Sequence, residues 1–408
     1  MQPSATPFSG FAKPAISMTV ELVMALLALV VWITCILGRG GFWCGREHDS
    51  RGLLPARGGN VAAEDWPSVV AVVPARNEAE LLPRSLASLL AQDYRGAFVI
   101  VIVDDQSDDG TADAAWRLAA GSRRKVIVVP GGPLPQGWTG KVWALEQGIA
   151  HASTLARPPC FLLLTDADIS HVPDSLTRLI ERARANALVM TSLMAKLNCE
   201  SLAERTLIPA FIFFFQMLYP FAWVNARSTA TAAAAGGCML VDRQALGRAG
   251  GIAAIRGALI DDCALAQLMK AQGPIWLGLT DRVISLRSYS RFGDIRRMVA
   301  RSAYAQLRYS PLLLTGTVAG MTVTYLAAPF ITIVGDFPAN VLAGVAWALM
   351  AGVFQPTLRQ FRLSPLWGGA LPLVAAIYVG FTLDSAYQHY RGRGGFWKGR
   401  VQAISAKR

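Results

Sequence analysis

Four polar clusters, each placed directly after an apolar run, contain residue types that bind charged ligands. They read PARNE at residues 74–78, DDQSDDGT at 104–111, GGPLPQGWTGK at 131–141 and TDADIS at 165–170. Ligands of an open parallel sheet collect at the carboxyl ends of its strands, so these clusters are expected to meet at one edge. A single polar cluster is also typical of a solvated loop tip, but four together favour a binding site.

Asp166 and Asp168, separated by one residue, can direct oxygen ligands at a single divalent cation. Carboxylate oxygens, with positions left open for water and phosphate oxygens, are the usual surroundings of Mg²⁺ or Mn²⁺. A metal in that place neutralises a leaving diphosphate as a Lewis acid, so the reaction needs no histidine acid. The pair therefore predicts a metal site for a diphosphate-bearing ligand.

Other kinds of ligand site fail at required positions. A calcium loop starting at Asp105 has Trp116 where a bidentate Glu is needed. The stretch before Lys141 lacks the first glycine of a P-loop and is followed by Val142 instead of Ser or Thr. No G-x-G-x-x-G motif offers a dinucleotide cradle, and the scattered cysteines and histidines lack zinc-site spacing.

The elements that position these clusters alternate in type between residues 68 and 165. The apolar runs SVVAVV, AFVIVIV, KVIVVP and CFLLLT are separated by helical stretches near residues 78–92, 111–120 and 141–156. Runs of Val, Ile and Leu without polar alternation are typical of strands buried on both faces of a sheet. The pattern predicts an α/β fold with an open, mostly parallel sheet covered by helices.

The composition indicates a membrane protein, since 53% of the 408 residues are apolar, 16% are charged and the net charge is +12. Residues 19–37 are apolar and provide about enough helix to cross a hydrocarbon core of ~30 Å. A cleaved signal peptide is the alternative, but the basic GRGGFWCGR that follows contains no small-residue cleavage site. Arg39, Arg46 and Arg51 place the following residues in the cytoplasm by the positive-inside rule.

Further apolar segments lie at residues 207–224, 312–334, 341–354 and 366–383. Prolines near both ends of the first segment, and its place inside the α/β region, favour a buried or interfacial helix over a span. Three spans in the remaining segments would put the basic tail outside. Because the middle segment, residues 341–354, is the shortest, two spans plus a re-entrant or surface helix would instead keep the tail in the cytoplasm. Six arginines between residues 287 and 308 suit phosphates or lipid headgroups.

Together these motifs resemble those of the family 2 glycosyltransferases, which have the GT-A fold. The resemblance covers about residues 67–308, and the anchor, the GWTGK element and the terminal WKGR are similar to the hopene-associated glycosyltransferases of bacterial hopanoid gene clusters. It implies that Asp166 and Asp168 form the D-x-D metal site for Mg²⁺ or Mn²⁺, and that Lys141 lies near the nucleotide phosphates. GGCMLVDR at residues 236–243 looks like the loop that lines the donor and acceptor sugar pocket. The other residues implied to bind the nucleotide sugar are Pro74, Ala75, Arg76, Asn77, Glu78, Asp105, Gly236 and Gly237.

The catalytic base is implied by ALIDD at residues 258–262, which looks like the family's T-E-D motif. Its last acid, Asp262, is our choice, and Asp261 stays an alternative because Ile260 and Asp261 replace the T-E of the motif. An acid at this position also suits a helix N-terminus. A carboxylate that removes the acceptor proton speeds transfer by about 10² to 10⁴, and direct displacement inverts the anomeric centre. The Q-x-x-R-W element of processive synthases is missing, since residues 306–309 read QLRY, which favours a single transfer.

We therefore expect a membrane-bound inverting glycosyltransferase that moves a sugar from a nucleotide sugar to a lipid such as a hopanoid. The resemblance implies that the donor is a UDP-sugar. The alternatives are a lipid-phosphate sugar or nucleotidyl transferase and a non-catalytic membrane scaffold. A nucleic-acid partner is not expected, because the basic residues lie beside apolar segments. The expected location is the bacterial inner membrane, with the catalytic domain in the cytoplasm.

The expected organisation has six parts along the chain. They are an N-terminal tail at 1–17, a transmembrane anchor at 18–38, a juxtamembrane linker at 39–66, the GT-A domain at 67–308, a C-terminal membrane region with two or three spans at 309–390, and a basic tail at 391–408.

Overall fold

The computed structural model describes residues 15–52, 66–393, 396–397 and 400–401. Most of the predicted N-terminal tail, much of the juxtamembrane linker and most of the basic tail therefore lie outside the described residues. The segment predicted as an anchor is helical from Ala15 to Gly38.

Eight strands form one mixed sheet. Their bounds are β1 (Val69–Ala75), β2 (Phe98–Asp104), β3 (Val126–Pro130), β4 (Phe161–Thr165), β5 (Ile169–His171), β6 (Met190–Lys196), β7 (Cys238–Asp242) and β8 (Ile275–Ser285). The order is β3-β2-β1-β4-β7-β6-β8-β5, in which β3, β2, β1 and β4 are parallel neighbours and β7 is antiparallel to both of its neighbours. Two short strands, β9 (Phe396–Trp397) and β10 (Arg400–Val401), pair separately.

Fifteen α-helices accompany the strands in the described ranges. They are α1 (Ala15–Gly38), α2 (Leu82–Leu90), α3 (Thr111–Ala120), α4 (Gly140–Ser153), α5 (Ser175–Ala185), α6 (Leu202–Leu218), α7 (Phe221–Asn225), α8 (Arg243–Arg248), α9 (Asp261–Lys270), α10 (Phe292–Ala300), α11 (Ala303–Gln306), α12 (Pro311–Met321), α13 (Ala328–Val334), α14 (Ala339–Gln360) and α15 (Leu371–Tyr390).

The predicted α/β fold with an open, mostly parallel sheet is confirmed. All four predicted apolar runs are strands, and β1 is buried along its whole length, as its uninterrupted Val-rich sequence requires. One prediction is corrected in part: residues 236–243 were expected to be a loop, but Cys238–Asp242 form β7 beside β4. The apolar run CMLV is too short to distinguish a strand from an apolar loop segment.

Each face of the sheet is covered by its own helices. Val70, Val72 and Val103 face the side that holds α4 and α6, whereas Val69 and Ile100 face α2 and α5. Helix α4 packs closely because Gly148 has no side chain, and a Cβ there would lie 2.4 Å from Val72 Cγ1. Close packing of α4 fixes the position of its N-terminus, from which Lys141 projects.

The segment at residues 207–224 forms most of α6 and the short α7. A capping box starts α6, in which Ser201 Oγ accepts a hydrogen bond from Glu204 N at 3.2 Å and the Glu204 carboxylate accepts one from Ser201 N at 2.9 Å. Phe213 packs on Phe42 and Phe354, which lie after α1 and in α14. Helix α6 therefore lies between the sheet and the long apolar helices.

Among the residues that the structure describes, four segments are helical, long and apolar enough to cross a membrane: Met18–Gly38, Pro311–Val334, Ala339–Gln360 and Pro365–Tyr390. The second comprises α12 and α13 joined by a π-helical turn, where Trp32 Nε1 donates to Thr324 O at 2.8 Å. Ala25 packs with Ala339 and Ala343, and α14 ends beside residues 42–44 after α1. Helices α1 and α14 therefore run in the same direction.

The last segment turns back on itself before α15. Gln355 Nε2 donates to Pro365 O, and Trp347 Nε1 donates to Gly369 O. Residues 365–370 therefore run antiparallel to α14, from its C-terminal end toward its middle. Helix α15 then returns, and Tyr390 Oη lies 2.9 Å from Tyr304 Oη just before α12. Both ends of this segment consequently lie at the end of the helices that adjoins the sheet. The segment that folds back is therefore the last one, whereas the middle segment, which the sequence shows as the shortest, is the 22-residue helix α14.

Candidate active site

The carboxyl ends of β1, β2 and β4 bring predicted clusters to one edge of the sheet. The parallel register of β1 and β2 sets Ala75 beside Asp104. The antiparallel register of β4 and β7 sets Thr165 beside Cys238, so residues 236–237 lie next to the D-x-D segment that follows Thr165. The sheet itself therefore assembles the candidate site.

The first two clusters form one connected unit. Asn77 N donates to Ser107 Oγ at 3.0 Å, and Asp108 N donates to Asn77 Oδ1 at 3.1 Å. Glu78 N donates to Thr111 Oγ1 at 2.8 Å. Asn77 has a φ of 50°, a left-handed conformation that Asn tolerates better than most residues. The predicted nucleotide-binding loop is thus held by the loop after β2.

A cavity of about 480 Å³ opens at this edge. It is lined by loops after β1, β4 and β8 and by α10. Of the predicted site residues, Pro74, Arg76, Glu78, Lys141, Asp166 and Asp168 line it, and Arg287, Ser288, Tyr289, Asp294, Arg297, Met298 and Arg301 form most of the remaining wall. The other predicted residues, Ala75, Asn77, Asp105, Gly236, Gly237, Asp261 and Asp262, lie in the surrounding structure.

Lys141 connects the D-x-D segment to the predicted base. Its Nζ lies 2.8 Å from Asp166 Oδ1 and 3.4 Å from Asp261 Oδ2. Burial disfavours the ammonium charge, but Asp166 and Asp261 outweigh burial and hold the pKa of Lys141 above its ordinary value. Lys141 therefore remains charged and can attract phosphate oxygens.

Arg287 forms the second link across the cavity. Its guanidinium Nε lies 2.6 Å from Asp168 Oδ2, and its Nη2 lies 2.6 Å from Glu78 Oε1. Sequence analysis placed Arg287 in a basic cluster but did not identify these two partners. Composition alone cannot reveal them, because Glu78 and Asp168 lie far from Arg287 in the chain.

Asp262 lies at the N-terminus of α9 and accepts two backbone hydrogen bonds. Gly236 N donates to Asp262 Oδ2 at 3.0 Å, and Cys263 N donates to Asp262 Oδ1 at 2.7 Å. A Cβ on Gly236 would lie 3.2 Å from Lys141 Nζ and 3.4 Å from Asp262 Oδ2. Burial, followed by the nearby Asp261, raises the pKa of Asp262 to about 6.

Asp105 is fully buried and does not line the cavity. Arg76 Nη1 lies 3.8 Å from Asp105 Oδ2 and also donates to the Asp105 carbonyl. Asp105 N donates to Ala75 O at 2.8 Å. In this conformation, Asp105 therefore acts on the cavity through the position of Arg76.

His171 contacts Thr165, the residue directly before the D-x-D segment. Sequence analysis did not identify this contact. His171 Nε2 lies 3.0 Å from Thr165 Oγ1, which donates to Gly237 O at 2.8 Å. Burial lowers the pKa of His171 to about 4, so the ring is neutral near pH 7. No spacing rule would have selected this isolated histidine.

A polar contact also joins the predicted base region to α11. Gln306, the first residue of QLRY, donates from Nε2 to Tyr219 Oη at 2.5 Å. Burial raises the pKa of Tyr219 to about 12, and the neighbouring Cys263 adds to the increase. The end of the α/β region is thereby fixed to the helices that precede α12.

The donor set fits a hard divalent cation. Asp166 and Asp168 line the same cavity with carboxylate oxygens, the ligands that Mg²⁺ and Mn²⁺ prefer. Within the described ranges, no group of three or more His, Cys, Asp or Glu is placed to hold a metal. A cation bound by two carboxylates would complete its coordination with water and diphosphate oxygens, and would compete with Lys141 and Arg287.

Comparison of the sequence with known proteins gives two similarities. Residues 70–250 match the family model described as "Glycosyl transferase family 2". An undecaprenyl-phosphate mannosyltransferase from Micrococcus luteus is 34% identical over 130 residues, which are 30% of this chain and 47% of that protein. The matched stretch thus spans about half the length of that relative.

One solved structure supports the fold. The mannosyltransferase PcManGT from Pyrobaculum calidifontis, solved with GDP-Man and Mn²⁺, is 18% identical with a TM-score of 0.52, covering 91% of this chain and 99% of that one. Mannosyl-3-phosphoglycerate synthase from Rubrobacter xylanophilus is 17% identical with a TM-score of 0.39, covering 65% of this chain and 83% of that one. Residues 70–250 therefore correspond to a glycosyltransferase family 2 domain, and the α/β region has the GT-A fold.

Proposed function

We propose that the protein is a membrane-bound inverting glycosyltransferase that moves a sugar from a nucleotide sugar to a lipid. The observation that carries this proposal is the contact of Lys141 with both Asp166 and Asp261, the immediate neighbour of Asp262. This arrangement would join a diphosphate-binding group, through ion pairs, to the neighbour of the proposed base. A donor and an acceptor hydroxyl would meet there.

The donor diphosphate is proposed to lie between Lys141 and Arg287. Both cations already face the cavity, and Arg76 extends the positive side toward the loop that we propose holds the nucleoside. Asp166 and Asp168 would hold Mg²⁺ or Mn²⁺, which neutralises the leaving diphosphate when bound. Arg287 and Lys141 orient these two carboxylates.

Asp262 is proposed as the base because its position and its acidity suit proton removal. The backbone amides of Gly236 and Cys263 fix its carboxylate. Asp261 contacts Lys141 instead, which separates the roles of the two acids. Asp262 takes the proton of the acceptor hydroxyl while the oxygen attacks the anomeric carbon on the face opposite the diphosphate.

A lipid acceptor is supported by the attachment of the cavity wall to apolar helices. Helix α10 supplies Arg297 and Met298 to the wall, and its Arg296 pairs with Asp384 of α15 at 2.9 Å. An acceptor that stays in the bilayer can then meet a water-soluble donor at the interface. We propose a UDP-sugar and a hopanoid as the first substrates to test. The similarity to an undecaprenyl-phosphate mannosyltransferase supports polyprenyl phosphate as a second acceptor.

We also propose the bacterial inner membrane as the location, with the GT-A domain at residues 67–308 in the cytoplasm. Arg39 and Arg46 directly after α1 support this orientation. The return of α15 to the sheet side supports a cytoplasmic tail. Only α12–α13 and α14 would then cross the membrane after the GT-A domain, and two crossings bring the chain back to the cytoplasm.

The test is turnover by the full-length protein with Mn²⁺, UDP- or GDP-sugars and each acceptor lipid, read by nucleotide release and lipid mass. Asp168→Asn is expected to lower the rate by about 10² or more, because a bound metal supplies several kcal/mol of stabilisation. Asp113→Asn, an exposed acid in α3, is the matched control. Release of a nucleoside monophosphate would indicate a phosphosugar transferase, and release of a sugar 1-phosphate would indicate a nucleotidyl transferase. Absence of turnover with every pair would favour the scaffold.

A further inference from the structure

A second cavity, here called the juxtamembrane cavity, lies away from the candidate active site. It has a volume of about 1070 Å³ and is formed by the segment after α1, the ends of β6 and β8, and the end of α14. Its lining includes Trp43, Arg51, Lys196, Arg359 and Arg362. None of the residues implied by the family resemblance lines it.

The charge of this cavity is strongly unbalanced. Four Lys or Arg side chains line it against one carboxylate, Asp281. Lys196 already pairs with Asp281 at 2.5 Å. Arg51, Arg359 and Arg362 are exposed and form no ion pair within the part of the chain that the structure describes. Three cations from two separate parts of the chain therefore line a space in which Asp281, the one carboxylate among the described lining residues, is already paired with Lys196.

The position of the cavity indicates what the counter-ion is. Arg359 is in the last turn of α14, an apolar helix long enough to cross a membrane, and Arg362 follows directly. Trp43 lies five residues after the end of α1, the other candidate span that ends here. Tryptophan and arginine at the ends of spans lie at the depth of lipid headgroups. One cation suffices to complement the α14 C-terminus, so Arg51 and Arg362 need another explanation.

We propose that the juxtamembrane cavity binds the phosphate of an anionic phospholipid. The guanidinium groups of Arg51, Arg359 and Arg362 would contact the phosphate oxygens. Trp43 and Phe361, which also line the cavity, offer apolar surface to the glycerol and upper acyl chain. The volume accommodates a headgroup with its ester region. Because the site uses none of the catalytic residues, it stands whether or not the proposed substrates are correct.

The test is the affinity of the full-length protein in neutral detergent for phosphatidylglycerol and phosphatidylcholine, measured by native mass spectrometry. Wild type is expected to prefer phosphatidylglycerol. Each arginine near an anionic headgroup contributes about 1 kcal/mol, so Arg359→Gln with Arg362→Gln is expected to weaken binding by about 30-fold. Arg84→Gln with Arg248→Gln, which removes two exposed charges outside this cavity, should leave binding unchanged.

Several results would overturn the proposal. They are equal affinity for the two lipids, an unchanged affinity in the double variant, and full displacement of phosphatidylglycerol by the same concentration of inorganic phosphate, which would identify a phosphate site instead. If the double variant unfolds, Arg51→Gln replaces it and is expected to weaken binding by about 5-fold. An affinity of Arg51→Gln equal to wild type would then contradict the proposal.

Discussion

The two cavities both carry many cations, but they differ in how those cations are balanced. Five Lys or Arg residues line the candidate active site together with four acids, and Lys141 and Arg287 each contact two carboxylates. The juxtamembrane cavity has four such cations and one acid. Balanced charges hold side chains in fixed positions for a reaction, whereas unbalanced charges require an anion from outside.

Hydrogen bonds between residues 198–204 and the loop after β8, together called the wall here, link the surroundings of the two cavities. Asn198 lines the juxtamembrane cavity and donates from Nδ2 to Arg287 O at 3.1 Å. From the same wall, Glu204 accepts a hydrogen bond from Tyr289 N, which lines the candidate active site, at 2.7 Å. The comparison therefore yields separate tests of each cavity and one test of the wall.

The largest effect is expected from Asp262→Asn. The amide keeps the shape of the side chain but cannot accept the acceptor proton, so the turnover number should fall by about 10² to 10⁴. The variant should bind phosphatidylglycerol like wild type, because Asp262 lies outside the juxtamembrane cavity. Turnover is measured with the donor and acceptor pair that the turnover test of the wild-type protein identifies.

Asp261→Asn is the matched variant for this prediction. Asp261 contacts Lys141, so its loss should act mainly on donor binding and raise KM. If Asp261→Asn abolishes turnover while Asp262→Asn retains it, the base has been assigned to the wrong acid.

An intermediate effect is expected from pH. Burial and the neighbouring Asp261 raise the pKa of Asp262 to about 6, while Lys141 opposes this increase. The carboxylate is the active base, so activity should be lost as pH falls through 6, by about tenfold for each further unit. Tyr219, Cys263 and Lys141 also lie near Asp262. Burial raises the pKa of Tyr219 and Cys263, and burial is outweighed by nearby carboxylates in raising the pKa of Lys141, so all three values lie above the neutral range.

The measurement is kcat/KM from pH 4.5 to 8 at saturating Mn²⁺. A flat profile through pH 6 would contradict the assignment of Asp262. Thermal unfolding should be recorded alongside, because the low pKa of the buried His171 predicts lower stability as pH falls from about 6.5 toward 4.

The sequence predicted the part of the fold that local patterns encode. Apolar runs identified β1 to β4, and strand ends located the polar clusters, because sheet topology places those ends on one edge. The spacing of Asp166 and Asp168 was sufficient to propose a metal pair. Helix α1 was also evident, since membrane-spanning length is a local property.

The parts that the sequence did not predict depend on distant contacts. The pairing of Arg287 with Glu78 joins residues 209 positions apart. The strands β5, β6 and β8 are short or irregular in pattern and are identified by their partners in the sheet. The juxtamembrane cavity needs Arg51 and Arg359 to meet across most of the chain, and local patterns do not encode such a meeting.

The smallest effect is expected from Ser201→Ala in the wall. The substitution removes the hydroxyl that accepts the Glu204 N–H and should lower the free energy of unfolding by about 1 kcal/mol. The Glu204 carboxylate keeps its bonds to Tyr289 N and Ser201 N, so donor KM and phosphatidylglycerol affinity should stay unchanged. Ser201→Thr retains the cap and is the control, with stability read by thermal unfolding. Weaker binding in either cavity would mean that the cap positions the wall itself, and the two cavities would then be coupled rather than independent.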